Sequence, residues 1–363
     1  MPKLTVALLF GGRSSEHSIS CATAGGVLAA IDREKYDVIP IGITREGAFT
    51  LQVDDAQKFA LNAASMPEVV DNGTRVLWPD STATRVLRFS GADGGIHSLG
   101  EIDVVFPILH GPFGEDGTVQ GMLELIGLPY VGNGVLASAL AMDKHFTKNA
   151  LVAAGVEVAP WITLTPAQWR DDNALWLGRA HALGLPAFVK PARAGSSVGV
   201  TKVSSWEQLD AALATAFAED SKALIESAVV GREIEVAVLG GRDGGVPRVS
   251  VAGEILVSGR EFYDFEAKYL DVSSAQLVCP AELRDGELWE LQRVAARAFE
   301  AVGGSGLARV DFFFTGTDFI VNEINTMPGF TPISMFPKCW LASGMSYPEL
   351  IDELITLGLE AVR

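Results

Sequence analysis

Acidic and amide side chains interrupt the apolar stretch at residues 311–330, DFFFTGTDFIVNEINTMPGF. Such groups rarely remain inside apolar runs unless something pairs with them, because burying an unpaired charge is costly. Period-2 alternation places Arg309 and Asp311 on one face of a predicted strand, while Glu323 and Asn325 share a face of the next strand. If the two faces coincide, three hard oxygen ligands converge on a site that suits Mg²⁺.

The TGTD turn between these strands decides whether Asp311 and Glu323 meet. A two-residue Gly316-Thr317 turn would place them on opposite faces, whereas a three-residue loop, Gly316–Asp318, would place them directly across from each other. The metal-site hypothesis therefore requires the odd-length loop. The alternative is a solvated sheet face on which Arg309 pairs with Asp311, since structural ion pairs are common.

A second group of residues could bind phosphate. In VKPARAGSSVGV, Lys190 closes an apolar strand and a Gly/Ser loop follows, so backbone N–H groups and a positive charge could surround phosphate oxygens. A Walker A loop is excluded because the chain has no GK dipeptide, and the first strand is not followed by the G-x-G-x-x-G of a dinucleotide site. Lys144 and Lys148 lie one helical turn apart in AMDKHFTK, although most such pairs are merely solvated.

The first loop, GGRSSEHS, offers backbone donors at a helix start and the carboxylate of Glu16. These groups could bind the ammonium group of a small ligand. The alternative interpretation is an ordinary helix N-cap, which Ser14 or Ser15 would serve equally well.

An α/β framework must position these residues, because strand and helix signals alternate along the chain. This alternation predicts βαβ units around a parallel sheet in the N-terminal part. The region between Arg45 and Ser98 is more polar and receives no assignment, and domain boundaries are expected near residues 133 and 230. The predicted strands include LTVALLF, YDVIPIGIT, DVVFPILHG, KALIESAV, EIEVAVLG and VSVAGEILV, and the helices run through Ala30 and over Val119–Ile126, Val135–Ala154, Trp206–Phe217 and Leu288–Val302.

The composition limits the classes of function. With 363 residues, 48% of them hydrophobic, the chain can bury a large core in two or three domains. A formal net charge of −17 argues against a nucleic-acid binder, which needs a basic face. Cys21, Cys279 and Cys339 are scattered, which predicts neither a disulfide framework nor a zinc site and fits a reducing cytosol. The LTVALLF run and the uncharged stretch at 125–142 predict neither a cleaved leader nor a membrane span.

Six segments decide between these alternatives by their order: LHGPFGEDGTVQG, MDK, VKPARAGSSVGV, EFYDFEAKY, RVDFFF and NEINTMPGFT. Together they resemble the D-alanine–D-alanine ligases of the ATP-grasp superfamily, from Gly11 to Pro337. The resemblance implies an α/β ATP-grasp fold with domains at 1–132, 133–229 and 230–363, and with ATP between the central and C-terminal domains. It also implies a cytoplasmic homodimer that makes D-alanyl-D-alanine for peptidoglycan and binds neither nucleic acid nor membrane.

The resemblance further implies how ATP and metal ions are held. The ATP-binding residues would be Lys144 and Lys190 at the phosphates, Glu226 at the adenine hinge, Glu233 at the ribose hydroxyls, and also Ser197 and Lys268. Two Mg²⁺ ions, for which Mn²⁺ can substitute, would bind Asp311, Glu323 and Asn325, with Glu323 bridging them. One departure from the family is Ala194, where relatives often carry an acidic residue before GSS, so no salt bridge is expected from that position.

Substrate and catalytic roles follow from the same resemblance. Glu16 would pair with the ammonium group of the first D-alanine, with His110 nearby, and Arg309 and the N–H of Gly329 would stabilise the oxyanion. Ser334 and Met335 would hold the second D-alanine, with Lys268 close to them. Glu16, Ser196 and Tyr269 would form a hydrogen-bonded set that holds the FYDFEAKY loop over the site. In the family, a tyrosine at position 269 goes with D-alanine as the acceptor and a phenylalanine goes with D-lactate.

Two rival functions stay open from the sequence. One is another ATP-grasp carboxylate–amine ligase, or a D-alanine–D-lactate ligase. The other is a nucleotide-sensing module without turnover, which the complete set of lysines and metal ligands disfavours.

Overall fold

The computed structural model describes residues 2–60, 66–195, 197–257 and 275–361. The N-terminal elements are β1 (Leu4–Gly11), α1 (His17–Ala30), β2 (Tyr36–Ile43), β3 (Phe49–Leu51), β4 (Arg75–Leu77), β5 (Val86–Ser90), β6 (Ile96–Glu101), β7 (Val104–Ile108) and α2 (Thr118–Leu125). Strand β1 pairs in parallel with β2 and with β7, and β3 adds an antiparallel edge to β2. Residues 6–10 of β1 are fully buried, as expected for a parallel sheet covered on both faces. The predicted parallel arrangement is confirmed.

Strands β4, β5 and β6 form an antiparallel sheet in the polar region that received no assignment from the sequence. The reason is visible in β6, where no residue is buried. A strand without a buried face lacks the apolar alternation by which strands are recognised. A 3₁₀ turn at Ala56–Phe59 precedes this sheet, and Phe59 packs edge-on against Phe10 of β1 with ring centroids 4.8 Å apart.

The central elements surround a small antiparallel sheet. They are α3 (Val135–Met142), α4 (Lys144–Ala153), β8 (Trp161–Leu164), α5 (Pro166–Asp171), α6 (Asn173–His181), β9 (Ala187–Pro191), β10 (Thr201–Val203), α7 (Leu209–Glu219) and β11 (Ala223–Ser227). The strand order is β10-β9-β11-β8. The single helix predicted at Val135–Ala154 is wrong, because Asp143 leaves the helical conformation and caps α4 by accepting from the His145 N–H at 3.0 Å.

The C-terminal elements form a second, larger antiparallel sheet covered on both faces. They are β12 (Arg232–Leu239), β13 (Arg248–Val257), β14 (Ala275–Val278), α8 (Asp285–Ala301), β15 (Leu307–Phe314), β16 (Phe319–Asn325), α9 (Met335–Ala342) and α10 (Tyr347–Glu360). The strand order is β14-β13-β12-β15-β16. Alternation along β12 directs Val236 into the core under α8, whereas Ala237 joins the core that contains Cys339 of α9.

Two helices, α10 and α4, pack against sheets that are not adjacent to them in sequence. Leu354 of α10 shares a core with Val6 and Leu8 of β1. Leu151 of α4 shares a core with Val236 in the C-terminal sheet. The N-terminal and C-terminal parts are therefore joined by continuous apolar packing, and the predicted domain boundaries stay a prediction. No helix in the described ranges is both long enough and apolar enough to cross a membrane.

Candidate active site

The β15–β16 hairpin brings Asp311 and Glu323 face to face, but not through the turn that the sequence analysis required. Four residues, 315–318, connect the strands, and Phe314 pairs with Phe319 across the hairpin. The predicted odd-length loop is therefore wrong. A β-bulge at Asn322 shifts the register by one residue, so that Glu323 pairs with Asp311 instead of falling on the opposite face. The bulge has the effect on register that had been expected of an odd-length loop.

The candidate metal ligands and the Arg309–Asp311 ion pair, which the sequence analysis treated as alternatives, occur together in one cluster. Arg309 forms a bidentate ion pair with Asp311, with both N–O distances 2.7 Å, and Glu235 of β12 lies 3.3 Å from the same guanidinium. Burial opposes the charge on Arg309, but Asp311 and Glu235 outweigh it and raise the pKa of Arg309 well above its usual value. The Asn325 amide nitrogen donates to Asp311 at 3.0 Å.

The donor chemistry of this cluster fits a hard divalent cation. Asp311 and Glu323 supply carboxylate oxygens from paired positions, and Asn325 uses its nitrogen toward Asp311, which leaves its carbonyl oxygen as the atom a metal ion would take. The same face holds the carboxylate of Glu235, which raises the negative charge available to a cation. We find this oxygen set compatible with the predicted Mg²⁺ or Mn²⁺.

A second cluster of buried charges lies on the central sheet. Glu226 of β11 forms ion pairs with Lys190 of β9 and Lys148 of α4, each at 2.9 Å. Burial raises the pKa of Glu226, but the two lysines outweigh that effect and hold it below its usual value. Lys148 is only 2% exposed. The alternative of a solvated helix face therefore does not hold for Lys148, and burial lowers the pKa of Lys148.

Lys144 connects the helix to the Gly/Ser loop. Its ammonium group donates to the carbonyl of Ala194 at 2.7 Å, so the residue that departs from the family pattern contributes through its backbone. Ser197 in the same loop has a φ of 60°, in the left-handed region that residues with side chains rarely adopt. Such a backbone can direct successive N–H groups toward an anion.

The predicted ATP-binding residues gather around one cavity of about 310 Å³ between the central and C-terminal sheets. Lys144, Glu226 and Glu233 line it together with Asp311 and Glu323. The lining also includes Lys190, Ser197 and Glu235. Lys268 lies outside the described residues, and so do Ser196 and Tyr269.

The predicted substrate residues gather around a second cavity of about 90 Å³. Glu16, His110, Arg309, Asn325 and Gly329 line it. This cavity shares four lining residues with the larger one, namely Lys144, Ala194, Asn322 and Glu323. A ligand in the first cavity and a ligand in the second would therefore meet beside the Lys144 ammonium group and the Glu323 carboxylate.

Glu16 lies where two glycine-containing loops approach each other. A Cβ atom added at Gly111 or at Gly195 would lie 3.3 Å from a carboxylate oxygen of Glu16, so both glycines allow this close approach. Helix α1 begins directly after Glu16, and Ser14 accepts from the Glu16 N–H at 3.2 Å. Ser14 thus orders the loop in front of the helix, and Glu16 occupies the N-cap position.

His110 presents a buried nitrogen to the second cavity. Its Nδ1 lies 3.0 Å from the carbonyl of Met327 and must carry the proton, because a carbonyl can only accept. Among the described residues, its Nε2 has no hydrogen-bond partner. A buried acceptor of this kind fits a ligand N–H group, such as that of an ammonium ion.

Glu115 is a site residue that the sequence analysis missed, although it belongs to the HGPFGEDGT motif. It lines the second cavity and accepts from the N–H groups of Gly111 at 2.7 Å and Met327 at 3.3 Å. Burial, followed by the charge of Glu16, raises the pKa of Glu115 to about 8. The position of this carboxylate inside a glycine-rich motif is the sequence signal that could have identified Glu115 as a site residue.

The residues predicted to hold the second D-alanine do not all lie at the cavity. A Cβ atom at Gly329 would lie 3.2 Å from the Ser334 hydroxyl oxygen, so Ser334 lies close behind Gly329, and it also contacts the Thr331 hydroxyl at 2.7 Å. Met335 is buried in the core, where Gly253 leaves room for its sulfur. Its side chain therefore points away from the two cavities as the described residues line them, and its substrate role stays a prediction.

Comparison with known proteins identifies the family of this chain. Residues 5–133 match the family model described as the N-terminus of D-ala D-ala ligase, and residues 150–356 match the one described as its C-terminus. A D-alanine–D-alanine ligase of Arthrobacter sp. (strain FB24) is 54% identical over 360 residues, which cover 98% of this chain and 94% of that protein. The corresponding enzyme of Kineococcus radiotolerans is 53% identical over 366 residues, covering 99% of this chain and 97% of that protein.

Solved structures extend the likeness to the fold. The D-alanine-D-alanine ligase from Coxiella burnetii is 35% identical with a TM-score of 0.81, covering 99% of this chain and 94% of that one. The VanG D-Ala:D-Ser ligase from Enterococcus faecalis is 34% identical with a TM-score of 0.82, covering 98% of this chain and 100% of that one. The ATP-grasp fold that the resemblance implied is confirmed. The chain belongs to the D-alanine–D-alanine ligase family.

Proposed function

We propose that this protein uses ATP to join two D-alanine molecules into D-alanyl-D-alanine, a precursor of peptidoglycan, with release of ADP and phosphate. The observation that carries the proposal is the meeting of the two cavities at Lys144 and Glu323. One cavity holds the predicted nucleotide residues and the other the predicted amino-acid residues. Transfer of a phosphoryl group between two substrates requires such a junction.

The larger cavity suits the nucleotide. Lys144 and Lys190 place positive charge at one part of its wall, next to the left-handed backbone of Ser197, and this combination suits phosphate oxygens. Glu233 on the same wall can accept hydrogen bonds from ribose hydroxyls. Glu226, which also lines this cavity, pairs with two lysines, so its negative charge orients the Lys190 ammonium group.

Asp311, Glu323 and Asn325 are the residues that would hold Mg²⁺ or Mn²⁺. When bound, these ions neutralise charge on the phosphate oxygens of ATP. The chain contributes the hairpin that fixes the three donors, and the Asn322 bulge sets their register.

The amino-acid cavity suits two successive steps. The carboxylate of the first D-alanine attacks the γ-phosphate, ADP leaves, and an acyl phosphate forms. Its phosphate group leaves the carbonyl carbon far more readily than hydroxide would. The amine of the second D-alanine then attacks that carbonyl carbon and phosphate departs. Arg309 and the Gly329 N–H would donate to the oxyanion that forms when this amine attacks, while Glu16 and the Nε2 of His110 would hold the first ammonium group.

Product identification tests the proposal directly. The protein is incubated with ATP, Mg²⁺ and D-alanine, and the products are identified by mass spectrometry. We expect D-alanyl-D-alanine over many turnovers with stoichiometric phosphate. Phosphate release without dipeptide, or nucleotide binding without turnover, would contradict it.

A separate competition experiment tests the choice of the second substrate, because a D-Ala:D-Ser ligase is among the similar structures. D-alanine, D-serine and D-lactate compete as acceptors while the products are counted across pH. We expect mainly D-alanyl-D-alanine, and we expect Tyr269→Phe to shift the ratio toward D-alanyl-D-lactate, more so at lower pH. An unchanged ratio in the variant would remove Tyr269 from acceptor selection.

We also propose that the enzyme is a cytoplasmic homodimer with three domains divided near residues 132/133 and 229/230. The support is the family resemblance and the division of the strands into separate sheets at each boundary. Light scattering on the purified protein tests the dimer, and limited proteolysis tests the boundaries.

A further inference from the structure

Two of the three cysteines meet in the folded protein although they are 60 residues apart in sequence. The sulfur atoms of Cys279 and Cys339 lie 3.8 Å apart. Cys279 follows β14 and is half-buried, whereas Cys339 lies on α9 and is fully buried. The sequence analysis predicted no disulfide framework, and the proposed reaction uses neither thiol.

The surroundings distinguish the two sulfur atoms. Cys279 is the accessible one, and its neighbours are the Cys339 thiol and the positive charge of Lys338. The hydrogen-bonded contact between the two sulfur atoms, together with Lys338, lowers the pKa of Cys279, while that contact and burial raise the pKa of Cys339. Cys279 is therefore the nucleophile of the pair and Cys339 the resolving thiol.

We infer that Cys279 and Cys339 form a peroxide-sensitive pair that closes to a reversible disulfide and slows the enzyme. A covalent S–S bond is about 2.05 Å long, so the sulfur atoms must approach each other by about 1.8 Å. Disulfides in a reducing compartment are typically transient and redox-sensing, which suits a pair that is reduced at rest.

The electron balance is complete with hydrogen peroxide as the oxidant. The Cys279 thiolate attacks one peroxide oxygen and becomes a sulfenic acid as hydroxide leaves. The Cys339 sulfur then attacks the Cys279 sulfur, the S–O bond breaks, and the Cys339 proton leaves with the hydroxyl as water. Overall, two thiols and one peroxide become one disulfide and two waters, and a dithiol reverses the change.

The position of α9 explains why closure would slow the reaction, and this part rests on the proposed function. Ser334, the predicted contact of the second D-alanine, directly precedes α9. The Cys339 sulfur also lies 4.0 Å from the carbonyl of Glu235, whose side chain contacts Arg309. Drawing Cys339 toward Cys279 therefore displaces a helix that touches both the substrate loop and the strand behind Arg309.

The test treats the reduced, folded protein with hydrogen peroxide, follows free thiols and turnover, and maps linked peptides without reduction. We expect loss of two thiols, a peptide linking Cys279 to Cys339, and a fall in turnover that dithiothreitol restores. Cys279→Ser should lose both the linkage and the reversible fall. Cys21→Ala, which changes another buried thiol, should keep both, and Cys339→Ala should behave like Cys279→Ser if it folds.

Three results would overturn the inference. They are the absence of a Cys279–Cys339 peptide from the native protein, a linked protein with unchanged turnover, and an equal reversible fall in Cys279→Ser. Peptide mapping needs no catalysis, so failure of the proposed ligation would leave the linkage result standing and the two failures distinguishable.

Discussion

The two buried charge clusters of the site have opposite compositions. On the central sheet, two lysines, Lys148 and Lys190, face the single carboxylate of Glu226. On the C-terminal hairpin, the carboxylates of Glu235 and Asp311 contact the single guanidinium of Arg309, and Glu323 also contributes to its field. The first cluster is thus suited to an anion such as phosphate, and the second to a cation. The proposed nucleotide and metal ion would therefore contact differently charged parts of one cavity.

The difference also teaches how each cluster is held. Glu226 joins strands and a helix that are far apart in sequence, so its ion pairs tie α4 to the central sheet. The hairpin carries Arg309, Asp311, Glu323 and Asn325 on adjacent strands, so local register alone sets their spacing. The lysine cluster therefore depends on tertiary packing, whereas the hairpin depends on a single bulge.

Removing one charge from the hairpin should have the largest effect on activity. Glu323→Gln preserves the shape but removes the charge shared by both cavities, so we expect turnover to fall by about 10²–10³-fold or more while the melting temperature stays near that of the wild type. Turnover and a thermal melt are measured together. Asp318→Asn, in the exposed turn of the same hairpin, is the matched control and should be nearly neutral. Near-normal turnover in folded Glu323→Gln would break the assignment of this cluster to the metal ion.

Removing single lysines should separate the two functions of the other cluster. Lys190→Ala should lower the use of ATP strongly, because Lys190 lines the nucleotide cavity. Lys148→Ala should mainly lower stability, by about 1–3 kcal/mol, because Lys148 is buried against Glu226 and the carbonyl of Ala159. ATP affinity, turnover and urea denaturation are measured for both variants. Equal losses of ATP affinity and turnover would show that the lysines do not divide these roles.

Substitution of two buried carboxylates, Glu115 and Glu226, should have the smallest effect on the protein. The resulting change in melting temperature should depend strongly on pH. The pKa of Glu115 is raised to about 8 from an ordinary value of 4.5, so between these pH values the folded protein keeps a proton that the unfolded chain has released. The contribution of Glu115 to stability therefore falls as the pH rises through this range. We expect Glu115→Gln to match the wild type at about pH 5 and to melt at a higher temperature at about pH 9.

Glu226→Gln is the matched variant, for which we expect the opposite dependence of stability on pH. Its lysines lower the pKa of Glu226, so the charged form stabilises the fold above its unfolded pKa and is lost only as the pH falls. We expect Glu226→Gln to melt below the wild type at about pH 7 and to approach it in acid. If both variants changed the melting temperature in the same direction, the backbone N–H groups around Glu115 and the lysines around Glu226 would have the same effect on a buried carboxylate. The proposed difference between the two sites would then be wrong.

The sequence predicted the side chains of the hairpin better than its backbone. Alternation placed Arg309 with Asp311 and Glu323 with Asn325, because side-chain direction follows from a period of two. The bulge at Asn322 was missed because TGTD is compatible with several loop lengths and a bulge depends on packing across the sheet. The convergence of these side chains was therefore predicted with an incorrect turn, and their role as metal ligands stays a prediction.

Contacts between residues that are distant in sequence are a second kind of feature that could not be predicted. The burial of Lys148 could not be predicted because Glu226, its ion-pair partner, is 78 residues away and helical spacing does not reveal it. The contact of Cys279 with Cys339 also depends on how α9 packs against the C-terminal sheet. The strands of the 75–101 region were missed for a different reason, since they bury too little apolar surface to show a pattern.

The packing of α10 against β1 and β7 has a consequence for synthesis of the chain. The core around Val6 and Leu8 includes Leu350 and Leu354, which the ribosome adds more than 300 residues later. At a translation rate of about 5–20 residues per second, the nascent N-terminal sheet waits roughly 17–70 s for the helix that covers it. During that interval an apolar surface is exposed to solvent and to chaperones. The first sheet to be made is thus covered only after the strands of the C-terminal sheet have been synthesised.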